Sequence, residues 1–322
     1  MNEFALIARY FQRPVHDASV RLGIGDDAAV VAPTPGCELA ISVDMLVEGR
    51  HFLADVDPEA LGHKTLAVNL SDLAAMGARP RWALLGGALP DADERWLDAF
   101  ARGLFAIADR FGVTLIGGDT TRGPRNLCVT IVGEVPAGTA ITRAGAHADD
   151  DVWVSGTLGD AMLALAAMQG RSRIDDDALA RLRVRLERPE PRVALGESLR
   201  GIATAALDIS DGLTGDLAHI LDASRVGARI ELASIPCDDL LTGKLSTERP
   251  IALECLLAGG DDYELCFTAA PRDRDRVIAA GRVSGVHVKR IGAITSERGL
   301  RVVDADGEAM PCLPRAFDHF PS

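Results

Sequence analysis

Five short segments of this chain set a carboxylate beside glycine or a hydroxyl: Gly23-Ile-Gly25-Asp26-Asp27, Ser42-Val43-Asp44, Asn69-Leu-Ser71-Asp72, Gly117-Gly118-Asp119-Thr120 and Asp208-Ile-Ser210-Asp211-Gly212. Any fold the sequence adopts has to place those acids. Four carboxylates brought within about 5 Å of one another would repel by roughly 3 kcal/mol per pair at an effective dielectric of about 20, so such a cluster needs cations. Carboxylate and hydroxyl oxygens on flexible backbone are also the donors that hold Mg²⁺ against phosphate. The pattern points to multi-metal phosphate chemistry.

At 322 residues the chain exceeds what one core usually supports, so two domains or one elaborate α/β domain is expected. Net charge is −13, and of 34 basic residues only Lys64, Lys244 and Lys289 are lysines. No basic cluster suits nucleic acid, which is not an expected partner. An acidic chain that binds polyphosphate needs metal to supply positive charge. No apolar run reaches the roughly 18 residues of a membrane span, and the amphipathic start lacks the basic and apolar regions of a signal peptide. No membrane association and a cytoplasmic location are the expectations. The six cysteines lack Cys-x-x-Cys spacing, which signals neither zinc nor a redox pair.

Residues 1–136 alternate apolar strand-like runs (38–44, 81–89, 114–116, 127–135) with helical patterns over 58–76 and 93–111. Turn formers and charge crowd 137–150, where the link to a second half is expected. There, a strand at 151–155 precedes helical patterns to about 169, over 176–201 and over 212–223, with strands near 228–232, 263–268 and 286–294. The reading is an α/β chain of two domains, 1–140 and 141–322.

The candidate residues each have a plainer explanation. Asp26 and Asp27 follow two glycines, and a simple turn accounts for them about as well as a ligand site does. Asn69 and Asp72 sit three apart on one helix face and can address one ligand, or simply meet solvent. Asp119 follows what reads as a strand end, where α/β ligands gather; Thr120, Thr121 and Arg122 add phosphate donors, although a tight turn explains the glycines. Asp208 and Ser210 share a face if their strand continues, while capping of the next helix is a sufficient role for Asp211. Arg143 in the link can reach a phosphate or stay solvated. His51 lacks any ligand spacing and is a possible substrate contact. No P-loop, protein-kinase signature or serine elbow is present.

In this order, these segments resemble the thiamine-monophosphate kinase family nearly end to end: Phe4-Ala-Leu-Ile-Ala, Gly23-Ile-Gly-Asp-Asp-Ala, Asp44 with Val-Glu-Gly-x-His51-Phe, Asn69-Leu-Ser-Asp-Leu-Ala-Ala-Met-Gly-Ala, Ile116-Gly-Gly-Asp-Thr-Thr-Arg-Gly-Pro, Leu207-Asp-Ile-Ser-Asp-Gly-Leu and Gly259-Gly-Asp-Asp-Tyr-Glu-Leu. The resemblance implies the two-domain fold shared with aminoimidazole ribonucleotide synthetase: an N-terminal sheet domain that binds ATP and Mg²⁺ and forms a homodimer, and a C-terminal α/β domain that completes the substrate site. It implies ATP-dependent phosphorylation of thiamine monophosphate to thiamine diphosphate, the last step of that biosynthesis, with several Mg²⁺ ions.

Carried over by position, the resemblance makes Asp27, Ser42, Val43, Asp44, Asp72, Asp119, Asp208 and Asp211 the metal ligands; Asp27, Asp44, Asp72 and Asp119 are the catalytic set. Gly118, Asp119, Arg143 and Ser210 fall at ATP contacts, and His51, Asp261 and Phe317 at substrate contacts. Two positions depart from the family pattern: Asp261 stands for glutamate, and Val43 for a common threonine, which removes a hydroxyl but not the backbone carbonyl. The acceptor is a phosphate monoester already mostly dianionic at neutral pH, so no strong base is needed and direct in-line transfer is implied. Selenophosphate synthetases use an early reactive cysteine and lysine, and hydrogenase-maturation relatives a C-terminal cysteine; neither feature is present. A catalytically silent binder is the remaining alternative.

Overall fold

The computed structural model describes residues 2–317, which divide into two compact units: 2–73 with 78–138, and 74–77 with 139–317.

The first unit contains α1 (Glu3–Tyr10), β1 (Val20–Leu22), β2 (Val30–Val31), β3 (Cys37–Val47), α2 (Pro58–Ala75), β4 (Arg79–Leu89), α3 (Glu94–Phe111), β5 (Thr114–Arg122) and β6 (Asn126–Pro136). Its main sheet runs β3-β6-β4-β5, antiparallel except for the β4–β5 pair, with β1 and β2 forming a separate ribbon. Asp93 starts α3 by accepting from Arg95 N and Trp96 N, and Gly112 ends it in a left-handed turn. The buried stripe Leu97, Phe100, Leu104 and Ile107 recurs at helical spacing. Helix α2 is buried on nearly every side, and its first turns cross α3 backbone to backbone. A Cβ on Gly62 would lie 2.1 Å from the Phe100 carbonyl oxygen, and one on Gly103 1.8 Å from that of Glu59. Asp72 is one of the few α2 positions left partly exposed.

The second unit contains β7 (Asp151–Ser155), α4 (Asp160–Met168), α5 (Asp176–Glu187), α6 (Val193–Leu199), β8 (Ala203–Asp208), α7 (Leu213–Ser224), β9 (Gly227–Glu231), α8 (Asp239–Thr247), α9 (Arg249–Ala258), β10 (Leu265–Ala269), α10 (Arg274–Ser284), β11 (Val288–Thr295) and β12 (Gly299–Val303). Its six-stranded sheet runs β12-β9-β11-β7-β10-β8, with only β12 and β9 parallel. Val152, Val154, Leu207 and Cys266 from the sheet share a core with Leu163, Leu217, Ile220 and Leu257 from the helices.

The strand expected to stop at Ile116 runs on to Arg122, because parallel pairing with β4 keeps the glycine-rich segment extended through Gly118 and Asp119. The helical pattern expected over 176–201 is two helices, parted at Pro189 and Pro191, which cannot continue one. The ribbon β1–β2 and the elements α8, α9, α10 and β12 add to the expected set. No helix among the described residues is long and apolar enough to cross a membrane. No disulfide forms: Cys255 and Cys266 are buried, Cys37, Cys128 and Cys237 half-buried, and Cys312 exposed.

Candidate active site

In the first unit, alternation along β3 puts Ser42 and Asp44 on one side of the strand and Val43 on the other. The Ser42 hydroxyl donates to Asp72 Oδ2, and Asp44 N donates to Asn69 Oδ1 at 3.2 Å. Asn69 is wholly buried and donates through Nδ2 to the Thr65 carbonyl at 3.2 Å, so it fastens the edge of β3 to α2. The expected shared role of Asn69 and Asp72 thus divides: Asn69 holds backbone, and Asp72 meets the Ser42 hydroxyl. The Val43 side chain is 60 % exposed.

Asp26 and Asp27 lie exposed in the turn between β1 and β2, and the Asp26 carboxylate accepts from Asp27 N at 2.9 Å. Asp119 is exposed on β5, next to Gly118. At Gly118 φ is 151°, and a Cβ would lie 1.9 Å from the Leu85 carbonyl oxygen, so this position admits only glycine. Arg122 Nε donates to the Pro90 carbonyl at 3.2 Å, which ties its side chain to the loop after β4. His51 Nδ1 accepts from Val47 N at 3.0 Å, which leaves the ring proton on Nε2. Lys64, 3 % exposed, braces the same turn by donating to the His51 carbonyl at 3.2 Å.

In the second unit, the β8–β10 ladder continues into the loops beyond both strands. Ile209 N donates to the Glu264 carbonyl at 2.8 Å, Tyr263 N to that of Ile209 at 2.8 Å, and Asp261 N to that of Ser210 at 2.9 Å. Phe317 N donates to the Asp211 carbonyl at 3.3 Å. These bonds bring Asp208, Ser210, Asp211, Asp261 and Phe317, drawn from three distant segments, to one end of the sheet. Arg143 is exposed in the connecting segment, where its carbonyl accepts from Ser224 Oγ, and no hydrogen bond joins its side chain to that group among the described residues.

The ground beneath Asp261 is heavily braced. Asp261 and Tyr263 both take left-handed backbone, φ 67° and 50°, on either side of Asp262. Asp262 is buried and accepts from Gly159 N at 2.9 Å; burial pushes its carboxyl well above the usual range, against the pull of that N–H. Glu264, with no exposed surface, accepts from Arg185 and Arg192 at 2.6 Å and from Ser155 Oγ at 2.5 Å. A charge this deep is tolerable only when so fully bonded.

Among the described residues, no three Asp, Glu, His or Cys side chains form a group that could hold a metal ion alone. Mg²⁺ keeps several waters and takes one or two carboxylates, the rest of its shell coming from substrate phosphates. The oxygen pair Ser42–Asp72, with Asp44 on the same strand face, offers donors of this kind.

The AIR synthase related protein, N-terminal domain family matches residues 25–135, and the corresponding C-terminal domain family matches 147–305. The thiamine-monophosphate kinase of Escherichia coli K12 is 46 % identical over 322 residues, covering 99 % of this chain and 98 % of that protein. This chain belongs to the thiamine-monophosphate kinase family. The crystal structure of thiamine-monophosphate kinase from Stenotrophomonas maltophilia K279a, 47 % identical, matches with a TM-score of 0.86 over 96 % of this chain and 98 % of its own. AaThiL complexed with AMPPCP and TMP, 30 % identical, matches with a TM-score of 0.78 over 90 % of this chain and 89 % of its own.

One residue of this thiamine-monophosphate kinase family member escapes sequence reading. Asp211 is the residue positioned to cap α7, yet the N-cap is Gly212 and makes no side-chain cap bond. The carboxylate that takes the free N–H groups is Asp216, inside the helix: its Oδ2 accepts from Ser210 N at 3.1 Å and from Asp211 N and Gly212 N at 3.0 Å. Burial raises its carboxyl to about 7 despite those donors. An acid four residues after a glycine N-cap is the available signal, a displaced form of the capping box.

Proposed function

We propose that this chain transfers the γ-phosphate of ATP to thiamine monophosphate, giving thiamine diphosphate and ADP. The observation that carries this reading is full-length identity of 46 % to a thiamine-monophosphate kinase, with the family's residue type at every metal and nucleotide position except Val43. AaThiL, which shares the fold, has been solved with the ATP analogue AMPPCP and TMP bound.

The first unit offers Asp27, Asp44, Asp72 and Asp119, with the Ser42 hydroxyl and the Val43 carbonyl, as Mg²⁺ ligands; the second offers Asp208 and Asp211. Bound Mg²⁺ supplies charge neutralisation of the phosphates and alignment for in-line displacement. Gly118, which lacks a side chain, lets a nucleotide approach its backbone, and Asp119, Arg143 and Ser210 supply the remaining contacts. The thiazolium ring of the acceptor carries a fixed positive charge, which the Asp261 carboxylate and the face of the half-exposed Phe317 ring both suit. His51 offers Nε2–H as a donor. The acceptor phosphate has its second pKa near 6, so no residue has to remove a proton and no phosphoenzyme forms.

The exposed face of β3 supports a homodimer. Leu39, Ile41, Val43 and Met45 alternate along this edge strand with side chains 42, 65, 60 and 52 % exposed. An apolar stripe on one sheet face calls for a cover, and a second copy of the same stripe is self-complementary.

The test is incubation of purified protein with ATP, Mg²⁺ and either thiamine monophosphate or thiamine, with the esters resolved chromatographically. Thiamine diphosphate equimolar with ADP, formed only from the monophosphate, is the expected outcome. ADP without thiamine diphosphate would point to sibling chemistry, and ligand binding without ADP to a silent binder.

A further inference from the structure

The segment Ser210-Asp211-Gly212 turns three successive backbone N–H groups toward one point, just before the start of α7. Such a concave run at a helix N-terminus is ordinarily a place where phosphate binds. Here it is filled from inside the protein. Oδ2 of Asp216 accepts all three N–H groups at 3.0–3.1 Å, and the side chain is 95 % buried by its 5 % relative exposure.

The other side of the segment is closed by backbone. A Cβ on Gly212 would lie 2.6 Å from the Ala258 carbonyl carbon, and one on Gly260 2.4 Å from the Ser210 carbonyl oxygen. Thr214 Oγ1 donates to the Leu257 carbonyl at 2.7 Å, tying the first turn of α7 to the end of α9. Residues 210–212 are therefore gripped between packed main chain and a single carboxylate. Of these two constraints, only the Asp216 carboxylate can be removed by substituting a side chain.

We propose that Asp216 is a positioning residue for phosphoryl transfer: it occupies the N–H nest so that no phosphate docks there, and it fixes the direction in which Ser210 and Asp211 present their side chains. The proposal rests on the reading of Ser210 and Asp211 as nucleotide and Mg²⁺ contacts. Its consequence is specific. The phosphates at this helix start are held through side-chain oxygens and metal, while the main-chain N–H groups of 210–212 stay engaged within the protein.

The test combines hydrogen exchange on the ligand-free, full-length protein with steady-state kinetics for wild type, Asp216→Ala and Asp216→Asn. In Asp216→Ala the amides of 210–212 should exchange at least about tenfold faster while the rest of α7 keeps its protection. Its kcat should fall by about a hundredfold, as misplacement by an ångström does, and its half-saturating Mg²⁺ concentration should rise, with KM for thiamine monophosphate little changed. Asn keeps an acceptor oxygen, so Asp216→Asn should regain protection and most of the lost kcat. Faster exchange in Asp216→Ala with wild-type kcat and Mg²⁺ dependence would overturn the proposal, as would unchanged exchange. A wild-type protein that makes no thiamine diphosphate would instead sink the functional reading on which it rests.

Discussion

Asp72 occupies one of the few openings in a helix that is otherwise buried, and Ser42 from the neighbouring strand donates to it. Replacing it with asparagine keeps an acceptor for Ser42 and removes only the charge. Turnover of Asp72→Asn should fall at least about a hundredfold, while Tm moves by no more than about 4 °C; near-normal turnover would remove Asp72 from the metal set. Asp261 tests a different property, since its backbone is left-handed. In Asp261→Gly, relief of that strain offsets the added freedom of the unfolded chain, so stability should hold to within about 1 kcal/mol. KM for thiamine monophosphate should nonetheless rise; an unchanged KM would take Asp261 out of the substrate contact. At this scale the acids were legible because each stands beside glycine or a hydroxyl. Asp216 was not, because its one local signal, an acid four residues after Gly212, competes with Asp211, which stands at the ordinary capping position.

Strand β3 separates two roles by its two-residue period. Ser42 and Asp44 face α2, while Leu39, Ile41, Val43 and Met45 form an uncovered apolar stripe. Charges on that stripe should disrupt a self-complementary interface. Light scattering after size exclusion should give a dimer mass for wild type and a monomer mass for Ile41→Glu with Met45→Glu. A wild-type monomer, or a variant that stays dimeric, would exclude this face as the interface. The long elements of the first unit were readable because their apolar periods are regular and their ends carry clear signals, such as Asp93 and Gly112 around α3. The extension of β5 through Gly117 and Gly118 was hidden, since it depends on the partner strand β4 and not on local propensity. Helices α8 and α9 were hidden for another reason: neither has a strong one-sided apolar stripe, so helical spacing is faint in their sequence.

For the molecule as a whole, an acidic chain of net charge −13 keeps several buried carboxylates ionised by giving each a cation. Burial alone would raise Glu134, but the Thr34 backbone N–H and hydroxyl and the Arg81 guanidinium outweigh it and hold Glu134 below its ordinary value. Asp17 is likewise lowered, its burial outweighed by Ser19 and Arg81, and in the second unit the burial of Asp151 is outweighed by Arg274 and Arg290, which hold it below its ordinary value. A depressed carboxylate contributes stability that is present above its unfolded-state pKa and lost as pH falls through its folded value. The Tm deficit of Arg81→Ala relative to wild type should therefore be largest near neutrality and shrink below about pH 4. A deficit independent of pH would show that Arg81 acts through packing alone.

The proposed reaction is direct transfer between two phosphates, organised by acidic side chains and without a covalent protein intermediate. A single turnover with ATP labelled in the γ-phosphate, thiamine monophosphate and Mg²⁺ measures this most directly. All transferred label should appear in the terminal phosphate of thiamine diphosphate, at the rate of ADP formation and with none on the protein at any time. Label trapped on the protein, or released as inorganic phosphate while thiamine monophosphate stays unchanged, would contradict it.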